Sequence, residues 1–285
     1  MRAFTWITWL FVAWMGAIDA AASDTSGVVE VDLVFPRNDT YAPAPYVPIV
    51  FAVRNPELAT LLGLHLSFQV WNITNGSIVD EGSFGDHYRD GTLNWTDTSS
   101  SDPELVYRHY TELNIEGKWM LNWFLRWSNC TYDPLREIHY RDSQGQRFGS
   151  GIKFTTKKTA QGIDLVDATK DQSCPGDEGI AVNVVDATKV TGGSYGVGEQ
   201  CAILDNSTVT PTPCQVKIDA ASATSMAVAL TASLCSDENL MWVEAGRAPE
   251  PEISCPVDES AAQQLLVGGL TCLMVAIGAL SYLLL

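Results

Sequence analysis

Apolar and other side chains alternate with a period of two between residues 117 and 130, which is the spacing of a β-strand. A helix is the alternative, because Lys118, Asn122 and Arg126 also recur every four residues. We favour the strand, since Gly117 precedes it and no helix-capping residue does. One face of this strand is then wholly apolar and consists of Trp119, Leu121, Trp123, Leu125 and Trp127.

Similar alternation predicts further strands on both sides of this segment. In the first, Glu30 and Asp32 separate apolar residues, which predicts one face in solvent. Residues 49–53 are apolar on both faces, which is typical of a central strand. Together the strands indicate an all-β fold, an immunoglobulin- or fibronectin-like antiparallel β-sandwich, over residues 27–158. The predicted strands lie at residues 29–35, 49–53, 64–70, 93–95, 105–113, 117–130 and 147–156.

The composition changes after Lys158, where small residues and cysteines replace most of the large apolar side chains. We therefore predict a second, smaller β-rich unit over residues 159–257, which disulfides stabilise. A short linker at residues 258–264 follows it. The candidate strands of this unit are residues 180–185, 215–218 and 226–230.

Both ends of the chain carry hydrophobic segments typical of membrane targeting. Residues 1–22 resemble a secretory signal peptide, in which an apolar run follows Arg2 and small alanines mark the cleavage site. Residues 265–285 contain no charge and span about 31 Å as a helix, enough to cross a hydrocarbon core. Because no basic residue follows them, we favour a cleaved lipid-anchor signal with Ser260 as the attachment site. The short polar spacer after Ser260 leaves a retained transmembrane span as the alternative.

Cysteines and glycosylation sequons predict an extracellular or lumenal location. The cysteines before the hydrophobic tail form an even set without a Cys-x-x-Cys spacing, which indicates disulfides rather than a metal site or a cofactor. A bond between Cys201 and Cys214 is the first expected pairing, because they bracket a turn at residues 210–213. The predicted disulfide cysteines are Cys130, Cys174, Cys201, Cys214, Cys235 and Cys255, and the predicted glycosylated asparagines are Asn38, Asn72, Asn75, Asn94, Asn129 and Asn206.

The formal net charge of −17 limits which ligands the protein can bind. An acidic surface repels a phosphate backbone, so nucleic acid is excluded as a ligand. The same charge also keeps a surface protein soluble. The partners that we expect are a membrane, through the carboxyl-terminal segment, and cell-wall polysaccharide or other glycans.

The tetrapeptide His-Tyr-Arg-Asp occurs at residues 87–90 and again at residues 139–142. Two histidines and two carboxylates brought together could bind a divalent metal or transfer protons. Turn residues flank both copies, so we interpret them as solvated loop ends and predict no metal site. The His-Glu-x-x-His and phosphate-loop motifs are absent from the sequence, and we predict no catalytic residues.

Aromatic residues in or near loops offer surfaces on which sugar rings can stack, and the candidates are Trp95, Tyr107 and Tyr110. β-Sandwiches carry many carbohydrate-binding sites, which is an analogy of fold only. The leading hypothesis is a non-enzymatic surface glycoprotein in adhesion, cell-wall organisation or glycan binding. The alternative is a secreted carbohydrate-active enzyme, for which the 34 acidic residues would have to supply a carboxylate pair.

Three segments carry a resemblance to a known family. They are residues 28–45, residues 48–56, and the sequence Trp-Ser-Asn-Cys-Thr at residues 127–131. In these segments the chain resembles an uncharacterised family of fungal secreted proteins, known only as a domain of unknown function. The resemblance covers most of the chain between the leader and the tail. It implies a secreted or surface-anchored fungal glycoprotein and assigns no catalytic residue.

Overall fold

The computed structural model describes most of the chain between residues 25 and 236. The predicted signal peptide, the predicted strand at residues 93–95 with Trp95, the predicted linker with Ser260 and the predicted anchor segment lie outside the described residues. Among the residues that are described, no helix has both the length and the apolar character needed to cross a bilayer. The described ranges are 25–84, 102–110, 113–149, 151–170, 179–193, 197–205 and 207–236, with Met241, Val243, Ile253 and Cys255 as single positions.

Within these ranges the chain forms two β-sheets and three helices. The elements in chain order are β1 (Gly27–Phe35), β2 (Thr40–Tyr41), β3 (Val47–Arg54), α1 (Pro56–Leu62), β4 (His65–Asn72), β5 (Ser77–Phe84), β6 (Glu104–Tyr110), β7 (Gly117–Asp133), β8 (Ile138–Phe148), β9 (Ile152–Thr156), α2 (Leu165–Ala168), β10 (Gly179–Lys189), β11 (Gln200–Leu204) and α3 (Ala220–Leu234). Sheet A has the antiparallel order β11-β10-β1-β3-β6. Sheet B has the order β2-β9-β7-β4-β5, with β8 also paired to β7, and of its described pairs only β2 with β9 is parallel. The predicted all-β, antiparallel class is confirmed.

β7 is the strand predicted from the tryptophan-rich segment, so the alternative helix is wrong. Every second side chain from Trp119 to Leu125 is buried, and those between are half-buried. The alternation changes at a β-bulge between Trp127 and Asn129, where Ser128 is buried and Trp127 is only half-buried. The apolar row predicted for β7 therefore reaches the core over most of its length and leaves it at the bulge.

The two sheets share one hydrophobic core. Phe51 of β3 reaches from sheet A into sheet B, where its ring centroid lies 5.2 Å from that of Trp123 and 5.3 Å from that of Phe84. Both contacts are edge-on, an arrangement that aromatic rings favour. β3 is buried on both faces up to Arg54, as its sequence predicts for a central strand.

The structure joins the two units that composition separates at residue 159. β10 lies beyond this boundary, yet it pairs with β1, so sheet A contains strands from both sides. A disulfide between Cys130 of β7 and Cys201 of β11 links the same two parts, with Cα atoms 5.4 Å apart. The predicted Cys201–Cys214 bond is therefore wrong, because β11 packs against β7 and this contact between distant segments decides the pairing.

Two strand predictions in the same region are wrong. Residues 226–230 lie inside α3, whose first turn is capped by the carboxylate of Asp219 accepting a hydrogen bond from the Ser222 amide. Residues 215–218 are irregular chain that is partly buried. Short runs of small apolar residues fit a strand and a buried helix equally well, so their pattern alone does not decide.

Trp123 and Phe124 are neighbours on opposite faces of β7 and make a matched pair for a test of the core. We expect Trp123→Ala to lower the free energy of unfolding by about 3–5 kcal/mol, because it leaves a cavity between the sheets. We expect a much smaller loss for Phe124→Ala. Urea-induced unfolding followed by circular dichroism measures both, and equal losses would contradict the inward placement of the indole row.

Candidate functional site

The outer face of sheet B carries the side chains that alternate with the core residues of β4, β5 and β7. These side chains are mostly polar or aromatic, and most of them are half-buried. Their position follows from the period of two, because their neighbours along each strand point into the core. This face is formed by His65, Ser67, Gln69, Trp71, Glu81, Ser83, Met120, Asn122, Phe124 and Arg126.

Cross-strand pairing arranges the outer face of sheet B in rows of directly opposed residues. The rows pass from an apolar end, through amides and hydroxyls, to a basic end. In that order they are Trp71–Met120, Glu81–Gln69–Asn122, Ser83–Ser67–Phe124 and His65–Arg126.

An open groove of about 420 Å³ lies on this face, a volume within the range of small-ligand sites. The side-chain amide of Gln69 donates a hydrogen bond to the Glu81 carboxylate across 3.2 Å, which holds both groups at the groove. Phe124 adds a half-buried aromatic ring from β7. The residues that line the groove are Ser67, Phe68, Gln69, Glu81, Gly82, Ser83 and Phe124.

Apart from the Glu81 carboxylate, the groove offers neutral hydrogen-bonding groups beside an aromatic ring. Amides and hydroxyls both donate and accept hydrogen bonds, and an aromatic ring presents an apolar face. At the basic end of the face, burial lowers the pKa of His65, and the positive charge of Arg126 at 3.3 Å lowers it further. Both causes favour the neutral form of the His65 ring, so Arg126 supplies the positive charge at this end.

The aromatic residues predicted for sugar stacking are not those of the groove. Tyr107 lies on β6 in sheet A, where it is half-buried and packs against the core. Tyr110 ends the same strand, and its side chain, like the whole of Trp95, lies outside the described residues. Phe124 and Gln69 belong to no motif in the sequence and were not predicted as site residues. The one sequence feature that marks them is their position in predicted strands, where they alternate with residues that face the core.

The second His-Tyr-Arg-Asp copy, residues 139–142, lies within β8, so its interpretation as a solvated loop end is wrong. Its arginine, Arg141, has a structural role: Nη1 donates to the hydroxyl of Ser128 and Nη2 donates to the carbonyl of Gln200 at 2.8 Å. The first copy, residues 87–90, lies outside the described residues. No cluster of three or more metal-ligating side chains occurs in the part of the chain that the structure describes.

Glu30 and Asp32 correct the prediction that the first strand has a solvent-exposed face. Both carboxylates are buried on the outer side of sheet A. Arg54 of β3 pairs with each of them at 2.8 Å, and the backbone N–H of Thr212 donates a hydrogen bond to Glu30. Glycosidase carboxylates face a cleft with room for a sugar, and this bridged and covered pair does not.

The predicted glycosylation sites that are described differ in exposure. Asn38 and Asn75 are exposed, and Asn72, the last residue of β4, is half-buried. Asn129 is half-buried within the paired part of β7. The side chains of Asn94 and Asn206 lie outside the described residues.

Five of the six predicted disulfide cysteines are described, and each of the five is disulfide-bonded. Cys130 pairs with Cys201, and Cys235 pairs with Cys255. Cys214 is bonded as well. Cys174 lies outside the described residues.

Comparison with known proteins gives one match. A family model described as a domain of unknown function (DUF7136) matches residues 24–255. No curated protein and no solved structure matches the chain. The matched range includes strands on both sides of residue 159, in agreement with the pairing of β10 and β1.

We expect Arg126→Gln to raise the pKa of His65, because the substitution removes a nearby positive charge that opposes protonation of the ring. The pKa should stay below its usual value, since burial is the larger cause of its depression. NMR titration of the His65 ring measures the change. Arg136→Gln, at an exposed arginine near the β7–β8 turn, is the control that should leave it unchanged. An unaltered His65 pKa in Arg126→Gln would contradict the pairing of these two side chains.

Proposed function

The chain belongs to the family described as a domain of unknown function (DUF7136), and on this premise we propose that it is a non-enzymatic surface glycoprotein that binds glycan through the outer face of sheet B. The observation that carries the proposal is the groove, where Gln69, Glu81 and the half-buried ring of Phe124 lie together. The finer features of location and source, a secreted fungal protein held at a membrane or cell wall, belong to the same proposal.

A sugar ring has the chemistry that this groove complements. Its hydroxyl groups donate and accept hydrogen bonds, as do the hydroxyls of Ser67 and Ser83 and the amide of Gln69. Its C–H face is apolar and matches the face of an aromatic ring such as Phe124. Replacing water by a ligand costs less free energy at a neutral polar group than at a charged group. A neutral polysaccharide therefore suits the groove, and cell-wall polysaccharide is the class that we propose.

The enzymatic alternative has less support from the groove. Hydrolysis of a glycosidic bond uses a pair of carboxyl groups that flank the bond. Among the described lining residues, Glu81 supplies the one carboxylate, and Gln69 already donates a hydrogen bond to it. Glu30 and Asp32, which share Arg54, form a close carboxylate pair in sheet A, but both are buried. Binding without bond cleavage is the simpler use of this arrangement.

The proposed location is supported by three features of the chain. Disulfides such as Cys130–Cys201 persist in oxidising compartments. The exposed sequons at Asn38 and Asn75 are accessible to a glycosyltransferase in the secretory pathway. The leader and the hydrophobic segment at residues 265–285 have the composition of a signal peptide and an anchor.

We expect the secreted glycoprotein to bind neutral cell-wall oligosaccharides in isothermal titration, and Phe124→Ala to weaken the affinity by about tenfold, the effect of losing roughly 1.4 kcal/mol of contact. Gln69→Ala should weaken it by about threefold to tenfold, since it removes one hydrogen-bonding group. Val185→Ala, at an exposed residue of β10 in sheet A, is the matched control and should bind normally.

The same titration separates the two hypotheses. Binding without new reducing ends, weakened in Phe124→Ala and unchanged in Val185→Ala, supports the proposal. Reducing ends released from the polysaccharide would support the carbohydrate-active enzyme instead. Equal binding by all three variants would remove the groove as the site.

The proposed anchor has its own test. We expect a phospholipase specific for glycolipid anchors to release the native protein from membranes, with a carboxyl terminus at Ser260 that mass spectrometry identifies. Treatment with heat-inactivated phospholipase is the control. Retention in the membrane with residues 265–285 still attached would instead show a transmembrane span.

A further inference from the structure

The outer side of sheet A is covered by a short irregular segment, residues 210–213, which we call the strap. Thr212 holds the strap to the sheet: its backbone N–H donates to Glu30, and its carbonyl accepts a hydrogen bond from Arg54 Nη2 at 2.6 Å. The prolines on both sides of Thr212 approach Gly179 of β10 so closely that a Cβ there would lie 3.0 Å from Pro211. The strap therefore depends on the charged side chains beneath it.

The charges under the strap do not balance. Arg54 Nη2 lies 2.8 Å from Glu30 Oε1 and 2.8 Å from Asp32 Oδ2, so one guanidinium serves two carboxylates. Asp32 is 1% exposed, and its Oδ1 atom has no hydrogen-bond partner among the described residues. With both acids ionised, the buried cluster would carry a net negative charge, and burying a charge without a partner is unfavourable.

We propose that Asp32 takes up a proton when the strap closes over sheet A, so that the strap is a pH-sensitive device that stays closed in an acidic medium and loosens as the pH rises towards and above neutrality. The bound proton removes the excess charge of the cluster. It also gives Asp32 a donor for the neighbouring Glu30 carboxylate. Cys214, which follows the strap, is disulfide-bonded and keeps the opening local.

The electrostatics of Asp32 support this inference. Burial raises the pKa of Asp32 from 3.8 to about 7; the hydrogen bond from Arg54 acts in the opposite direction, and the charge of Glu30 adds to the rise. The charged groups that face Asp32 in the described structure are Glu30 from its own strand and Arg54 from β3, while β10 contributes the backbone of Gly179 and the strap contributes Thr212.

The direction of the pH effect follows from proton linkage. When the strap opens, Asp32 meets water and returns to its usual pKa of 3.8, so the open state binds fewer protons than the closed state between about pH 4 and pH 7. Opening therefore becomes easier as the pH rises through this window. One proton linked to opening changes the opening constant by at most about tenfold per pH unit.

The amide of Thr212 reports directly on the strap, because its hydrogen bond to Glu30 exists only in the closed state. We expect its hydrogen-exchange protection factor, measured by NMR on the full glycoprotein, to fall by up to about tenfold per pH unit from pH 5 to pH 7 and to level off by pH 8. Asp32→Asn, which copies the protonated side chain, should keep the amide protected and make its protection independent of pH.

Glu30→Gln is a second variant, which tests the proposal if Asp32→Asn does not fold. It leaves Arg54 with a single carboxylate, so the pH dependence should move to lower pH instead of disappearing. The amides of β4 in sheet B are internal controls whose protection should not follow the same course. A Thr212 protection factor that is constant from pH 5 to pH 8 in the native protein would overturn the proposal. The same pH dependence of the Thr212 protection factor in Asp32→Asn as in the native protein would also overturn it.

Discussion

Two indole side chains, those of Trp119 and Trp123, occupy the space between the sheets, and their volume sets how the rest of the chain can pack. Trp123 meets Phe51 across the interface, and Trp119 donates a hydrogen bond from Nε1 to the buried hydroxyl of Thr156 at 2.8 Å. A Cβ on Gly149 would lie 1.9 Å from the Trp123 ring, so the chain after β8 approaches the indole at a residue without a side chain. Close packing of this kind requires large residues to be matched by small ones.

The inward row of β7 also determines what the protein presents outside. A shift of one residue in register would exchange the faces of a strand, and burial of the indoles makes such a shift costly. Once Trp123 points inward, Phe124 must point outward, and the pairing with β4 then places it opposite Ser67. The groove on sheet B is thus a consequence of the core. Its composition can vary without loss of the fold as long as the inward residues remain.

Patterns of period two predicted the strands well, because side-chain alternation is a local property of the backbone. The strands at β1, β4 and β7 follow it directly. What the sequence did not reveal depends on contacts between distant segments. Arg54 and Thr212 turn two apparently solvated acids of β1 into buried ones, and Thr212 lies 182 residues from Glu30. The Cys130–Cys201 bond likewise follows from the packing of β11 on β7. The unit boundary that composition predicts at residue 159 fails for the same reason, because the contact between β10 and β1 joins segments that are distant in sequence.

The outer faces of both sheets arise from the same alternation of side chains, but the face of sheet A is covered by the strap and the face of sheet B carries an open groove. The chemistry of their polar residues accounts for this difference. On sheet A the outward groups are the acids Glu30 and Asp32, which can be buried together only with a cation, fixed hydrogen bonds and the proton that we propose for Asp32. Arg54 supplies the cation, and the strap supplies hydrogen bonds. On sheet B most of the central outward groups are neutral hydroxyls and amides beside an aromatic ring, and Glu81 is the one carboxylate that lines the groove. Removing water from neutral groups costs less free energy than removing it from charged groups. A ligand can therefore form hydrogen bonds with them and dissociate again. A face built from neutral groups is therefore suited to reversible contact, whereas a face built from charges is suited to being closed by the protein itself.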